Sequence, residues 1–206
     1  RKPKVDLSDT KSPFDSIMDG YSQMYGSNEE IAERLRGANK EDLKEILGGL
    51  GMSEAQYKEG LDIDSFAKKL AQRESGGDSE VVNKEGYTGL LQFGPDRIAD
   101  YNKANKTKIT MEQFRYDKDL QIKVGRWHIK DLDRAYDKNK KAQEKLSRDA
   151  FRAVAHLGGI NGAYKYVKTI DLPIGDPNKY NPEDSNGTML SDYHQLGDSF
   201  IQGSDT

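Results

Sequence analysis

The sequence predicts a mainly α-helical fold with a small β element beside one central helix. Ile63, Phe66, Ala67, Leu70 and Ala71 fall at i, i+3, i+4, i+7 and i+8, the apolar stripe of an amphipathic helix. Leu120, Val124 and Trp127 start a second stripe, widened by Ile129, Leu132, Ala135 and Tyr136. Between them, Gly76, Gly77, Asp78, Asn83 and Gly86 signal turns. The β-formers Val81-Val82 and Thr88–Leu91 flank those turns, so a short hairpin is expected there.

The elements follow in chain order. Residues 1–26 carry Lys, Pro, Ser and Asp among scattered apolar side chains and read as an extended arm or linker. Ser27 and Glu30 have capping-box spacing, which predicts a short helix over 28–36. Asn39 suits the N-cap of the next helix, with Leu43, Ile46, Leu47 and Leu50 on one face. Ser53 with Gln56 starts a third short segment. Pro95 suits the first position of a helix over 95–105, and a long helix is predicted over 117–137. Residues 138–145 form a basic connection or a helix extension. Ser147 caps a buried helix over 147–157, Gly158-Gly159 ends it, and Ile160–Val167 begins another. Residues 171–190 are rich in Pro, Asp, Asn and Gly and read as a long loop. Leu190–Leu196 adds one last turn. The expected division is an N-terminal arm with short helices over 1–60, a main domain over 61–200 and a tail over 201–206.

Composition excludes several classes. No cysteine is present, so disulfides, thiolate metal sites and a cysteine nucleophile are ruled out. The net charge is −3 with both signs interspersed, which leaves no basic face for duplex nucleic acid. No apolar run is long enough to cross a bilayer. His128, His156 and His194 do not have metal-site spacing, and no phosphate loop or G-x-S-x-G elbow occurs. Neither a metal nor a cofactor is expected. The chain opens on Arg1 rather than Met, as a processed or excised piece would.

The next position on the first stripe is Glu74. Burial and the negative end of the helix dipole both favour its neutral form, which can donate a proton. A glutamate simply reaching water past Gly76-Gly77 fits the periodicity as well. Asp78 and Glu85 are the nearest candidates for a partner carboxylate, with Asp96 and Asp100 further along, and none has an apolar setting to hold it.

The residues after Glu74 bear on this choice. Glu74-Ser75 followed by Gly89-Leu90-Leu91-Gln92-Phe93 resembles the lysozyme-like lytic transglycosylase family. Ala155-His156-Leu157-Gly158-Gly159 is similar to the family's Ala-Tyr-Asn-Gly-Gly turn, with His156 and Leu157 replacing Tyr and Asn. Tyr193 stands where the family has a late active-site tyrosine. The resemblance covers roughly residues 62–196. It implies a lysozyme-like architecture and cleavage of the MurNAc–GlcNAc link of peptidoglycan. Glu74 is expected to act first as acid and then as base, giving a 1,6-anhydroMurNAc end without water.

The expected substrate contacts are Ser75, Tyr87, Gln92, Phe93 and Tyr193. For Gln92, sugar contact and backbone pairing are both open. Ser75 could equally satisfy the helix end, Tyr87 and Phe93 could be structural, and His156 fits a hydrogen-bonded core histidine. The expected partner is a glycan strand, with other virion or tail proteins reached through the N-terminal part. A phage virion protein opening the wall for genome ejection is expected, the alternative being a secreted or periplasmic bacterial enzyme. A hydrolytic muramidase and a non-catalytic glycan-binding or structural virion module are the competing functions.

Overall fold

Helix α1 (Lys40–Gly49) opens the part of the chain that the computed structural model describes, residues 37–49 and 51–202. The expected arm, the Ser27–Glu30 box and the helix over 28–36 lie outside the described residues. Asn39 caps α1 by accepting the Asp42 N–H at 2.9 Å. Ser53 and Gln56 then close a reciprocal capping box at 3.2 and 2.8 Å. The box opens the 22-residue α2 (Glu54–Ser75) rather than a separate short segment. Residues 60–61, where the main domain was expected to begin, therefore lie inside one helix. A single Gly60 costs such a helix only about 1 kcal/mol relative to Ala.

Helix α3 (Pro95–Asn105) has Pro95 in its first turn. Helix α4 (Met111–Tyr116) begins with a second reciprocal box, Thr110 with Gln113 at 3.1 and 2.9 Å. The long α5 (Lys118–Asp137), capped by Asp117, buries Leu120, Val124, Ile129 and Leu132. Helix α6 (Lys140–Lys145) follows Asn139. Helix α7 (Arg148–Thr169), capped by Ser147, breaks at Gly159 (φ 70°, ψ 165°), where two helices were expected to meet. An irregular stretch leads to α8 (Leu190–Gln202), which has 13 residues instead of the single turn anticipated.

Helix α8 forms because Leu190, Tyr193, Gly197 and Phe200 share a stripe that docks on α7. The approach is close. A Cβ on Gly197 would stand 2.4 Å from Ala150 Cα and 2.5 Å from the Asp149 carbonyl oxygen. Gly197→Ala should therefore lower stability by about 1–3 kcal/mol, the usual range for overpacking. A urea titration with an unchanged midpoint would contradict this. Helix α8 also reaches α2: Phe200 meets Phe66 edge-on at 5.6 Å, and Lys69 Nζ donates to the Phe200 carbonyl at 2.6 Å.

The expected hairpin is reduced to isolated antiparallel bridges, Val82 with Thr88 and Thr88 with Phe93. Gly86 (φ 86°), Gly89 (φ 82°) and Gln92 (φ 50°) all lie in the left-handed region, which interrupts any longer ladder. The fold is thus mainly helical with a minimal β element. One core lies between α2, α5, the 88–94 loop and α8, around Phe66, Leu70, Phe93 and Val124. A second joins α5, α6 and α7 around Leu132, Phe151 and Val154.

One charge sits deep between these elements. Arg152, on α7, is 1% exposed. It grips Asp133 with two bonds of 2.7 Å, and also bonds Asp62 (2.7 Å) and Asp149 (2.9 Å). Its guanidinium lies 5.2 Å from the Phe66 ring centroid. These bonds hold its pKa above the ordinary arginine range, although burial opposes them. Among the described residues, no helix is long and apolar enough to cross a membrane.

Candidate active site

The stripe of α2 that buries Ile63, Phe66, Leu70 and Ala71 brings Glu74 to the edge of the core one turn later. Its side chain is 14% exposed. Gly76 ends the helix directly after it in the left-handed conformation. From α8, the Tyr193 hydroxyl donates to Glu74 Oε1 in a short hydrogen bond. From α7, His156 Nε2 stands 3.7 Å from the same oxygen. Oε2 makes no hydrogen bond among the described residues. Asp78, Glu85, Asp96 and Asp100 all lie at the surface, with Asp78 receiving the Glu80 N–H and Asp100 facing Arg97 at 3.4 Å.

Behind Glu74 the polar groups continue into the core. His156 Nδ1 and His128 Nε2 are 3.1 Å apart. Arg97 Nε donates to His128 Nδ1 at 2.9 Å. Arg97 Nη2 bonds Asp131 at 2.7 Å, and its guanidinium stacks 4.3 Å from the Trp127 ring. Phe93 lies edge-on to His128 at 4.9 Å.

Burial pushes His128 well below the ordinary histidine pKa, helped by His156 and the Arg97 cation. Burial also lowers His156, while the Glu74 carboxylate pulls it back up. The Tyr193 phenol is pushed up, first by burial and then by the adjacent Glu74, so it stays a donor.

The two histidines make stability depend on pH. Folded, both bind protons only below the unfolded value near 6.5, so the unfolded chain takes up more protons as pH falls through that value. Stability should thus be fully present above pH ~6.5 and fall below it, by up to about 1.4 kcal/mol per pH unit for each histidine that stays neutral. The slope should be smaller for His156, where Glu74 opposes burial. Chemical denaturation from pH 7.5 to 5 reads this slope, and a flat profile would refute it.

The 79–94 loop is tied down beside Glu74. Ser75 Oγ lies within hydrogen-bond distance of the Ala71 (3.1 Å) and Leu90 (3.0 Å) carbonyls, linking the end of α2 to the loop. Gln121, buried on α5, acts as a peg. Its Oε1 accepts the Leu90 N–H at 2.8 Å, and its Nε2 lies near the carbonyls of Ser79, Phe114 and Arg115. Gly89 must be glycine here: its φ is positive, and a Cβ would come within 2.3 Å of Gln121 Oε1.

The residues expected at the substrate divide by placement. Gln92 uses its amide nitrogen inside the loop, on the Gly89 (2.9 Å) and Val81 (3.3 Å) carbonyls, and keeps its oxygen without a bonded partner among the described residues. Tyr87 is 46% exposed on the loop's outer side, its ring over Gly94. Ser75 is half-buried. Phe93 is 4% exposed and lies in the core, packed on Phe114, His128 and His156. Tyr193 is buried against Glu74.

Sequence reasoning weighed His128 only as a metal ligand and did not single out Arg97 or Gln121. A signal existed for His128, which follows Leu120 and Val124 at successive fourth positions, a polar group on an apolar stripe like Glu74. Arg97 and Gln121 gave none, since His128 and Leu90, the partners that tie them to the site, are remote in sequence.

Comparison with curated proteins and with solved structures gives no match. The family model of the transglycosylase SLT domain matches residues 52–161. That span holds Glu74, the pegged loop, Arg97 and both site histidines, while Tyr193 lies beyond it. With more than half of its length matched, the chain belongs to the transglycosylase SLT domain family, lytic transglycosylases that act on peptidoglycan.

Proposed function

We propose that the protein cleaves the β-1,4 bond between MurNAc and GlcNAc with Glu74 as its single acid and base, leaving a 1,6-anhydroMurNAc end. Glu74 Oε2 gives its proton to the glycosidic oxygen as the C1–O4 bond breaks, and the electron pair leaves with the GlcNAc oxygen. The C6 hydroxyl of MurNAc then attacks C1 from the face that the GlcNAc oxygen has left, the face on which Glu74 lies, and its proton returns to Glu74. No water is consumed. The positive charge at C1 is met by the substrate's own N-acetyl group.

The observation carrying this reading is the carboxyl itself. It is nearly enclosed, held by Tyr193 through Oε1, with Oε2 unbonded among the described residues. A water-using glycosidase of the usual kind needs a second carboxylate placed against the sugar. Asp78, Glu85, Asp96 and Asp100 are all at the surface. Tyr87 offers an exposed ring for stacking, the Gln92 oxygen can accept from a sugar hydroxyl or amide, and Ser75 lies at the rim. Phe93 contributes as the floor under the two histidines.

The working unit runs from Ser53, where α2 begins, to the end of α8, and the segment before it serves to contact other virion or tail proteins. In this reading the enzyme is carried in a phage particle and opens the wall locally for genome ejection. Mass spectrometry of purified sacculi after digestion tests the chemistry. Anhydro ends support it, reducing ends indicate a muramidase, and intact sacculi indicate a binding module.

A further inference from the structure

Arg97, His128 and His156 stand in line, and the line ends at Glu74. The direction of each link follows from which atoms carry protons. A guanidinium can only donate. Arg97 Nε points at His128 Nδ1 from 2.9 Å, so that nitrogen must accept. A neutral imidazole holds one proton, which in His128 is then on Nε2. That N–H meets His156 Nδ1 at 3.1 Å, so His156 Nδ1 accepts in turn. The remaining proton of His156 is placed on Nε2, 3.7 Å from Glu74 Oε1. Both rings are neutral because burial disfavours their cations. With the other tautomer, His156 would turn a lone pair toward the carboxylate and repel it.

We infer that Arg97 and His128 are positioning residues that lock His156 as its Nε2–H tautomer, so that this N–H and the Tyr193 hydroxyl together receive the negative charge Glu74 acquires on giving up its proton. The inference rests on the acid–base role of Glu74 proposed above. No proton passes along the line, which only fixes which way each ring faces. At 3.7 Å the His156 contact is longer than a hydrogen bond, and it tightens as Glu74 becomes anionic. A donor whose contact strengthens as charge develops favours the transition state over the ground state. The first link is itself held firmly. Asp131 at 2.7 Å, Asp100 at 3.4 Å and the Trp127 ring at 4.3 Å fix the guanidinium. Phe93 packs against both imidazoles from the loop.

Imidazole 15N–1H correlation spectra of the wild-type protein at pH 7 test the assignment without reference to activity. Both His128 and His156 should show a protonated Nε2 and a bare Nδ1, and a His156 protonated on Nδ1 would overturn the inference. His128→Phe keeps the ring volume and removes both nitrogens. It should release His156 into a mixture of tautomers and lower kcat on soluble glycan strands, with KM unchanged. The expected loss is on the order of tenfold to a hundredfold, the worth of a hydrogen bond to a charged group. His156→Gln, whose amide N–H takes the place of Nε2–H, should retain most of the activity that His156→Phe loses. A folded His128→Phe protein with wild-type kcat would also overturn it. If wild type itself leaves glycan uncut, the functional proposal fails while the tautomer result stands on its own.

Discussion

Glu74→Gln should reduce glycan cleavage by at least about a thousandfold while leaving the protein folded. The amide keeps the size of the carboxyl and can still receive the Tyr193 hydroxyl on its oxygen. It cannot deliver a proton to a glycosidic oxygen or take one from a C6 hydroxyl. Because one residue serves both steps in the proposed reaction, its loss removes acid and base catalysis together, each worth about 10²–10⁴-fold. Release of soluble fragments from purified sacculi measures the rate, and thermal unfolding checks the fold. If the variant cleaves within tenfold of wild type, Glu74 is not the acid. Tyr193→Phe separates the two functions of the site's polar groups. It removes the donor to Glu74 but no proton of the reaction, so its loss should be smaller than that of Glu74→Gln.

Arg152→Met should produce the largest loss of stability of any single substitution considered. The methionine retains the stem that packs beside Phe66 but strips the charge from Asp133, Asp149 and Asp62. Asp133 is 14% exposed and Asp149 19%, so water reaches neither freely, and among the described residues Asp133 keeps only Arg148 at 3.3 Å. Burial already raises the Asp149 pKa despite the neighbouring guanidinium, so removing that cation raises it further. Breaking a buried ion pair from one side typically costs about 3–5 kcal/mol. The deficit relative to wild type should shrink as pH falls, because the stranded carboxylates become neutral on protonation. Urea denaturation at pH 7 and pH 5 measures both effects. A midpoint within error of wild type at pH 7 would show that Arg152 is dispensable. Arg152→Lys should recover little, since one ammonium cannot reproduce a two-point grip on Asp133 together with bonds to two further carboxylates.

What the sequence disclosed depended on how far apart the interacting residues lie. Glu74 was readable because its placement is a local matter of helical period and the glycines that follow it. The helices over 95–105 and 117–137 were readable for the same reason, through Pro95 and the Leu120 stripe. The Ser53–Gln56 box was visible, but nothing local said that the helix it opens would continue through Gly60 to Ser75. The Thr110–Gln113 box has the same spacing and opens only the six-residue α4. Helix α8 was underestimated because half of its stripe is a tyrosine and a glycine, and the reason for that glycine is the backbone of Ala150. Arg152 stands in a run of apolar residues, and beside the local pair with Asp149 its two other carboxylates are 19 and 90 positions away, so the local pattern shows one surface-type pair and not a buried cluster. Gln121 and Arg97 are hidden for the same reason, since Leu90 and His128, which tie them to the site, are each 31 positions distant.

The hydrogen bond between Tyr193 and Glu74 joins residues 119 positions apart, on α2 and α8. During synthesis the glutamate emerges long before the phenol that orients it. Until α8 has docked on α7, the Glu74 carboxyl therefore lacks its phenol partner. A protease that cuts before α8 would likewise remove the donor to Glu74 without touching Glu74 itself.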